Sequence, residues 1–124
     1  MGDRGNIVIK EPEGGHIFFY THDNGSEIAD MLQKALIRGR QCWKDGHYLA
    51  RIIFSEMIKD SVLDTDGFGI STYLGDNEHD LLVVDCEEQL VLLVKGRPDA
   101  APKDSWTFSE FANLNVEEEF GYGG

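Results

Sequence analysis

Hydrophobic positions along the chain change their period several times, and each change marks an element. Ile7, Val8 and Ile9 form a β-branched run, and Ile17 to Thr21 form a second one. Glu13-Gly14-Gly15 lies between them, so the pattern predicts a hairpin. Ile28, Met31, Leu32, Ala35 and Leu36 then recur at helical spacing, behind Asn24-Gly25-Ser26 and ahead of Gly39. This predicts an amphipathic helix over 26–39 with Ser26 as its N-cap. After Asp45-Gly46, a second stripe follows at Leu49, Ile52, Ile53, Met57 and Ile58, predicting a helix over 46–59. Phe54 widens that stripe, so this helix is expected to be covered on two sides.

Beyond the turn cluster Asp64-Thr65-Asp66-Gly67 the period drops to two. Phe68, Ile70, Thr72 and Leu74 alternate with Gly69, Ser71 and Tyr73, as in a half-buried strand. Leu81–Val84 and Leu90–Val94 are apolar runs joined by Asp85-Cys86-Glu87-Glu88-Gln89, a second hairpin. Residues 96–103 contain two prolines and read as a loop. Thr107-Phe108-Ser109-Glu110 fits a capping box that starts a short helix at Phe108. The predicted order, β-β-α-α-β-β-β-α, contains more hairpins than crossovers. It implies an α+β fold in two layers: a mainly antiparallel sheet of about five strands, two main helices on one face, and a short C-terminal helix. One domain is expected over 1–115, with an acidic, glycine-rich tail over 116–124.

Length agrees with one domain, and 41% hydrophobic residues suit a packed core. Charge adds more. Residues 1–59 hold eight acids and eight bases, whereas 60–124 hold fifteen acids against Lys95, Arg97 and Lys103. The formal net charge of −12 therefore belongs to the second half. Such a field repels nucleic acid and anionic membranes and attracts basic surfaces. Two cysteines, Cys42 and Cys86, are too few for a disulfide framework and read as reduced thiols. The polar start Met1-Gly2-Asp3-Arg4 leads straight into a strand pattern, and no apolar run reaches a membrane span. A cytoplasmic protein is expected.

Candidate chemistry is sparse. Tyr20-Thr21-His22-Asp23-Asn24-Gly25-Ser26 runs from a strand end into a helix start, where backbone N–H groups favour an anion. Tyr20, His22 and Ser26, with Arg51 from the second helix, form the candidate ligand site. The segment lacks the glycines and lysine of a phosphate loop. The second candidate is an acidic surface of Asp76, Glu78, Asp80, Asp85, Glu87 and Glu88, flanking the strand at 81–84. It suits a basic partner or the imitation of a nucleic-acid backbone. No metal site is expected. His16, His22, His47 and His79 are scattered, and Asp64-x-Asp66-Gly67 would put Val62 and Tyr73 at the ends of a calcium loop. No catalytic residue is assigned, because no nucleophile motif is present.

Met1-Gly2-Asp3-Arg4-Gly5-Asn6-Ile7-Val8, Tyr20-Thr21-His22, Tyr48-Leu49-Ala50-Arg51-Ile52-Ile53 and Gly67-Phe68-Gly69-Ile70-Ser71 together resemble a family of small bacterial and phage proteins to which no activity is attached. The resemblance reaches to about Val94. The family often has Trp-x-Gly after Thr-His, where this chain has Asp23-Asn24-Gly25. It implies a bacterial or phage cytoplasmic setting, in which small acidic proteins often inhibit other proteins.

The sequence thus favours a non-enzymatic binding or inhibitory protein, without cofactor, docking on a basic protein such as one that handles nucleic acid. The alternative is an anion- or nucleotide-binding protein, or a small hydrolase, with its site at the start of helix 26–39. Phe18, Phe19, Tyr20 and Tyr73 also supply more aromatic surface than two faces of a small sheet need to bury, so a homodimer through the uncovered sheet face is expected.

Overall fold

In the computed structural model, which describes residues 2–121, two apolar strands lie side by side at the centre of a six-stranded sheet. They are β1 (Gly5–Lys10) and β4 (Leu81–Asp85), and they run parallel, with Ile7 opposite Leu82 and Ile9 opposite Val84. β2 (His16–Thr21) and β3 (Phe68–Ser71) extend the sheet on one side. β5 (Leu90–Val94) and β6 (Asp104–Thr107) extend it on the other, giving the order β3-β2-β1-β4-β5-β6. Every other pairing is antiparallel. The α+β class stands. The sheet differs from the expected one in having six strands and a mixed pattern. β4 is buried on both faces, which is why it reads as a continuous apolar run.

Among the described residues, four α-helices accompany the sheet. They are α1 (Ile28–Arg38), α2 (Gly46–Ile58), α3 (Phe108–Ala112) and α4 (Val116–Phe120). The apolar stripes do what their spacing requires. Leu32, Ala35, Leu36, Leu49 and Ile53 are fully buried in one core with Ile7, Ile9, Phe19, Leu82, Val84 and Val91. Phe54 packs on Phe19, with ring centroids 5.1 Å apart. Asp45 caps α2 by accepting from His47 and Tyr48 N–H groups. Arg38, at the end of α1, reaches the buried carboxylate of Glu56 on α2 at 3.2 Å, and so ties the two helices. The capping box of α3 forms in both directions: Glu110 N–H donates to Thr107 Oγ1 and Thr107 N–H to Glu110 Oε1.

Three expectations change. Ser26 is not an N-cap: it lies in a 3-10 turn (Gly25–Glu27) that precedes α1, and its hydroxyl bonds elsewhere. β3 stops at Ser71, so Ile70 stays exposed on an edge strand while Leu74 leaves the strand. Leu74 and Ala100 instead fold over the second sheet face, against Val8, Phe18, Leu81, Val83 and Val94. The sheet face expected to stay uncovered is instead packed by the chain's own loops, and Phe18, one of the rings expected there, is buried. Tyr73 remains exposed.

Val116–Phe120, within the segment read as a tail, is a helix capped by Asn115, which accepts from Glu118 N–H. Val116 is buried in the main core, and Phe120 packs on Trp106 and Phe111. Residues 122–124 of that segment lie outside the described residues.

Candidate functional site

The parallel pairing of β1 with β4 decides what meets at one end of the sheet. Ile7 faces Leu82, so the residues just before each strand run side by side. Arg4 N–H donates to Glu78 Oε1, and Glu78 N–H donates back to the Arg4 carbonyl. Buried Asn6 holds the same loop, with its side-chain N–H groups on Asp76 O and Asn77 Oδ1, each at 3.2 Å. On the other flank, Asp3 N–H donates to His22 O and Gly25 N–H donates to Asp3 O. The N-terminal segment is therefore laced between the turn before α1 and the loop before β4.

Asp3 is the centre of this clasp. Its Oδ2 accepts from Ser26 N–H at 3.0 Å and from Ser26 Oγ at 2.7 Å. Its Oδ1 accepts from His79 Nε2. A carboxylate offers only acceptors, so that contact assigns the His79 proton to Nε2. His79, then the Ser26 hydroxyl and the Ser26 N–H, lower the Asp3 pKa to about 2. The helix start expected to hold an external anion is thus already filled by the chain's own carboxylate.

Close backbone approach makes this possible. A Cβ on Gly25 would lie 2.7 Å from Asp3 O, 2.8 Å from Arg4 C and 2.6 Å from His79 Cδ2. One on Gly5 would lie 2.8 Å from Gly25 Cα. Only glycine fits at either position.

Beneath the clasp, on the helix face of the sheet, lies a cavity of about 590 Å³. Its polar lining is Ser26, Glu27, His79 and Asp80. Its apolar lining includes Ile28 and Ala29 from α1, the cross-strand pair Leu82 and Leu93, and Phe120 from α4. Ile28, Ala29 and Leu82 are buried, whereas Ser26 and Gly121 at the rim are exposed. Asp80 is ion-paired with Lys103 at 2.6 Å.

The structure divides the four expected ligand residues. Ser26 lines the cavity. Tyr20 and His22 bond to each other, hydroxyl to Nδ1, at 3.1 Å. Phe19 faces the helix-side core, so strand alternation turns Tyr20 to the opposite face, where it lines a smaller hollow with Asn6 and Asp76. Arg51 is exposed midway along α2 and joins neither group. Its helix starts against Cys86, at the far end of the sheet from Ser26.

The acidic residues are divided as well. Asp76 and Glu78 are exposed at the clasp end, and Glu87 and Glu88 are exposed at the opposite end. Asp85 differs from the exposed acids expected beside it. It is buried, pairs with Lys10 at 3.4 Å, and shapes the β4–β5 turn by accepting from Glu88 N–H.

The clasp contains serine, aspartate and histidine, but in an order unsuited to nucleophilic attack. The Ser26 hydroxyl donates a hydrogen bond to Asp3, a carboxylate too weakly basic to take its proton near neutral pH, and His79 contacts Asp3 on the far oxygen. The Cys86 thiol is pushed up to about 11, by burial first and then by Asp85 and Glu11, so it stays protonated. Among the described residues no group of three or more His, Cys, Asp or Glu is placed to hold a metal ion, and no helix is long and apolar enough to cross a membrane.

Asp3 and His79 were beyond local sequence reasoning. Only the register of two distant strands brings them together.

The depressed Asp3 pKa has a testable sign. A carboxylate whose folded pKa lies below its usual 3.8 contributes stability that is complete above that value and is lost as pH falls toward about 2. Asp3→Asn is therefore expected to unfold at lower urea than the parent at pH 7, with the gap closing between about pH 4 and pH 2. A gap that stays constant across that range would remove Asp3 from the pH dependence.

Compared with known proteins, the chain matches no family model, no curated protein and no solved structure.

Proposed function

We propose that the chain is a non-enzymatic binding protein whose small-molecule ligand sits in the cavity between the start of α1, the loop at 79–80 and α4. One observation carries this reading: a space of about 590 Å³ with a buried apolar floor and a polar rim. Ligand pockets have this size and this mixture of surfaces. The sequence expectation of a site at the start of the first long helix supports the same location, although Ser26 is the only one of the four expected residues that lines it. The hydrolase alternative finds no support in the clasp, because the group that accepts from the Ser26 hydroxyl, the Asp3 carboxylate, is too weak a base to take its proton.

Melting shifts of the full chain across a panel of organic cations, anions and neutral aromatic compounds test the reading. At a hundredfold excess over Kd, a true ligand adds about 2.7 kcal/mol of stability. Ala29→Leu and Leu93→Phe place bulk into the cavity and are expected to erase the shift. No shift for any compound, or an undiminished shift in both variants, would count against the proposal.

A second reading rests on charge. Exposed Asp76 and Glu78 at the clasp end, and exposed Glu117–Glu119 on α4, offer acidic groups to a basic partner, such as a protein that handles nucleic acid. Partner binding should weaken as salt rises and weaken again in Asp76→Lys. Binding indifferent to both would sink this reading.

A further inference from the structure

The charge and hydrogen bonding around the cavity narrow the class of ligand it takes. Among the described residues, its ionisable lining consists of Glu27, His79 and Asp80, with no lysine or arginine. The backbone donors of the turn that opens α1 are already engaged. Gly25 N–H goes to Asp3 O, Ser26 N–H to the Asp3 carboxylate, Glu27 N–H to Asn24 O, and Ile28 N–H to Gly25 O. An anion entering here would meet carboxylates and find those N–H groups occupied. An anion site built on a helix start needs the reverse.

The remaining surface is apolar. Ile28, Ala29 and the paired Leu82 and Leu93 form the floor, and Phe120 supplies an aromatic wall. An apolar body can displace water there, while a positive head reaches the carboxylates at the rim. The net charge of −12 raises the local concentration of cations around the whole molecule.

From these observations we infer that the cavity binds an organic ammonium ion with an apolar body, its head on Asp80 and its body on the Leu82–Leu93 floor. This inference rests on the small-molecule reading above and adds the chemical class. Asp80 already holds Lys103 at 2.6 Å, so a ligand ammonium competes with that side chain for the same carboxylate. Lys103 does not line the cavity. Its removal therefore frees the carboxylate without altering the apolar floor.

The test uses 2-phenylethylammonium, 3-phenylpropanoate and 3-phenylpropan-1-ol, titrated calorimetrically into the full chain at low salt. The ammonium is expected to bind more tightly than the alcohol, and the carboxylate not at all. Asp80→Asn should weaken the ammonium about tenfold, the loss of a charged hydrogen bond. Lys103→Met should tighten it about two- to fivefold, as the competing surface pair is lost. Ala29→Leu keeps every charge and should abolish binding, which separates the cavity from diffuse attraction by the acidic surface.

A carboxylate that binds better than the ammonium, or equal affinity for all three compounds, would overturn the assignment of charge and leave the cavity reading intact. Binding unchanged in Asp80→Asn, or weakened in Lys103→Met, would overturn it in the same way. Ammonium binding unaffected by Ala29→Leu would move the cation out of the cavity and overturn the inference. No binding by any compound in the wider panel would overturn both readings together.

Discussion

Phe111→Ala is expected to cost about 3–5 kcal/mol of folding stability, read as a lower urea midpoint. Phe111 is fully buried, and its ring meets Trp106 edge-on at 5.4 Å and Phe120 at 6.2 Å. Trp106 and Phe120 in turn stand 5.7 Å apart, so each ring of the trio packs on both others. The trio joins β6, α3 and α4. Gln33 on α1 adds a polar tie, donating to the carbonyls of Phe111, Ala112 and Leu114. Removing the central ring leaves a void that Trp106 and Phe120 cannot fill without moving α4, the wall of the cavity. Phe120→Ala removes a ring that is only half-buried and is expected to destabilise less, while weakening ligand binding more directly. Equal stability of Phe111→Ala and the parent chain would mean that the C-terminal helices are not docked as described.

What the sequence made legible was local. The two helical stripes, the two hairpins and the Thr107–Glu110 capping box each rest on residues within a few positions of one another. Leu32, Leu36, Leu49 and Ile53 are buried as their spacing requires. β6 was not legible, because in Asp104–Thr107 only Trp106 faces the core and four residues give alternation too little length. The parallel contact of β1 and β4 was not legible either. Ile7-Val8-Ile9 and Leu81–Val84 are apolar on both faces, so neither strand states which neighbour it prefers.

The candidate site inherits that gap. The β1–β2 pairing brings Asp3 to the start of α1, and His79 and Asp80 join it there because Ile7 pairs with Leu82. Ser26, expected as the N-cap, does lie at the site, but it serves there as a donor to Asp3. Arg51 stands at the edge of the second apolar stripe as its position requires, but the direction of α2 leaves it outside the cluster.

Gly25→Ala is expected to destabilise the protein by about 1–3 kcal/mol, the usual range for overpacking a close contact. The reason lies in what the new methyl group would meet. Two of its nearest neighbours are Asp3 O at 2.7 Å and Arg4 C at 2.8 Å, main-chain atoms anchored by Asp3 N–H on His22 O and by the Arg4–Glu78 pair. They cannot yield without shifting the start of β1. The third neighbour, the His79 ring at 2.6 Å, would have to swing away and give up Asp3. The substitution therefore strains the fold and opens the clasp together. Loss of the Asp3–His79 contact should narrow the difference in stability between neutral and acid pH, as the Asp3 pKa returns toward 3.8. Gly15→Ala is the control, since a Cβ there meets nothing within 4 Å, and it should leave the urea midpoint nearly unchanged. If Gly25→Ala behaves like Gly15→Ala, then β1 does not approach α1 this closely. The clasp that roofs the cavity would then lack the backbone contact on which it depends.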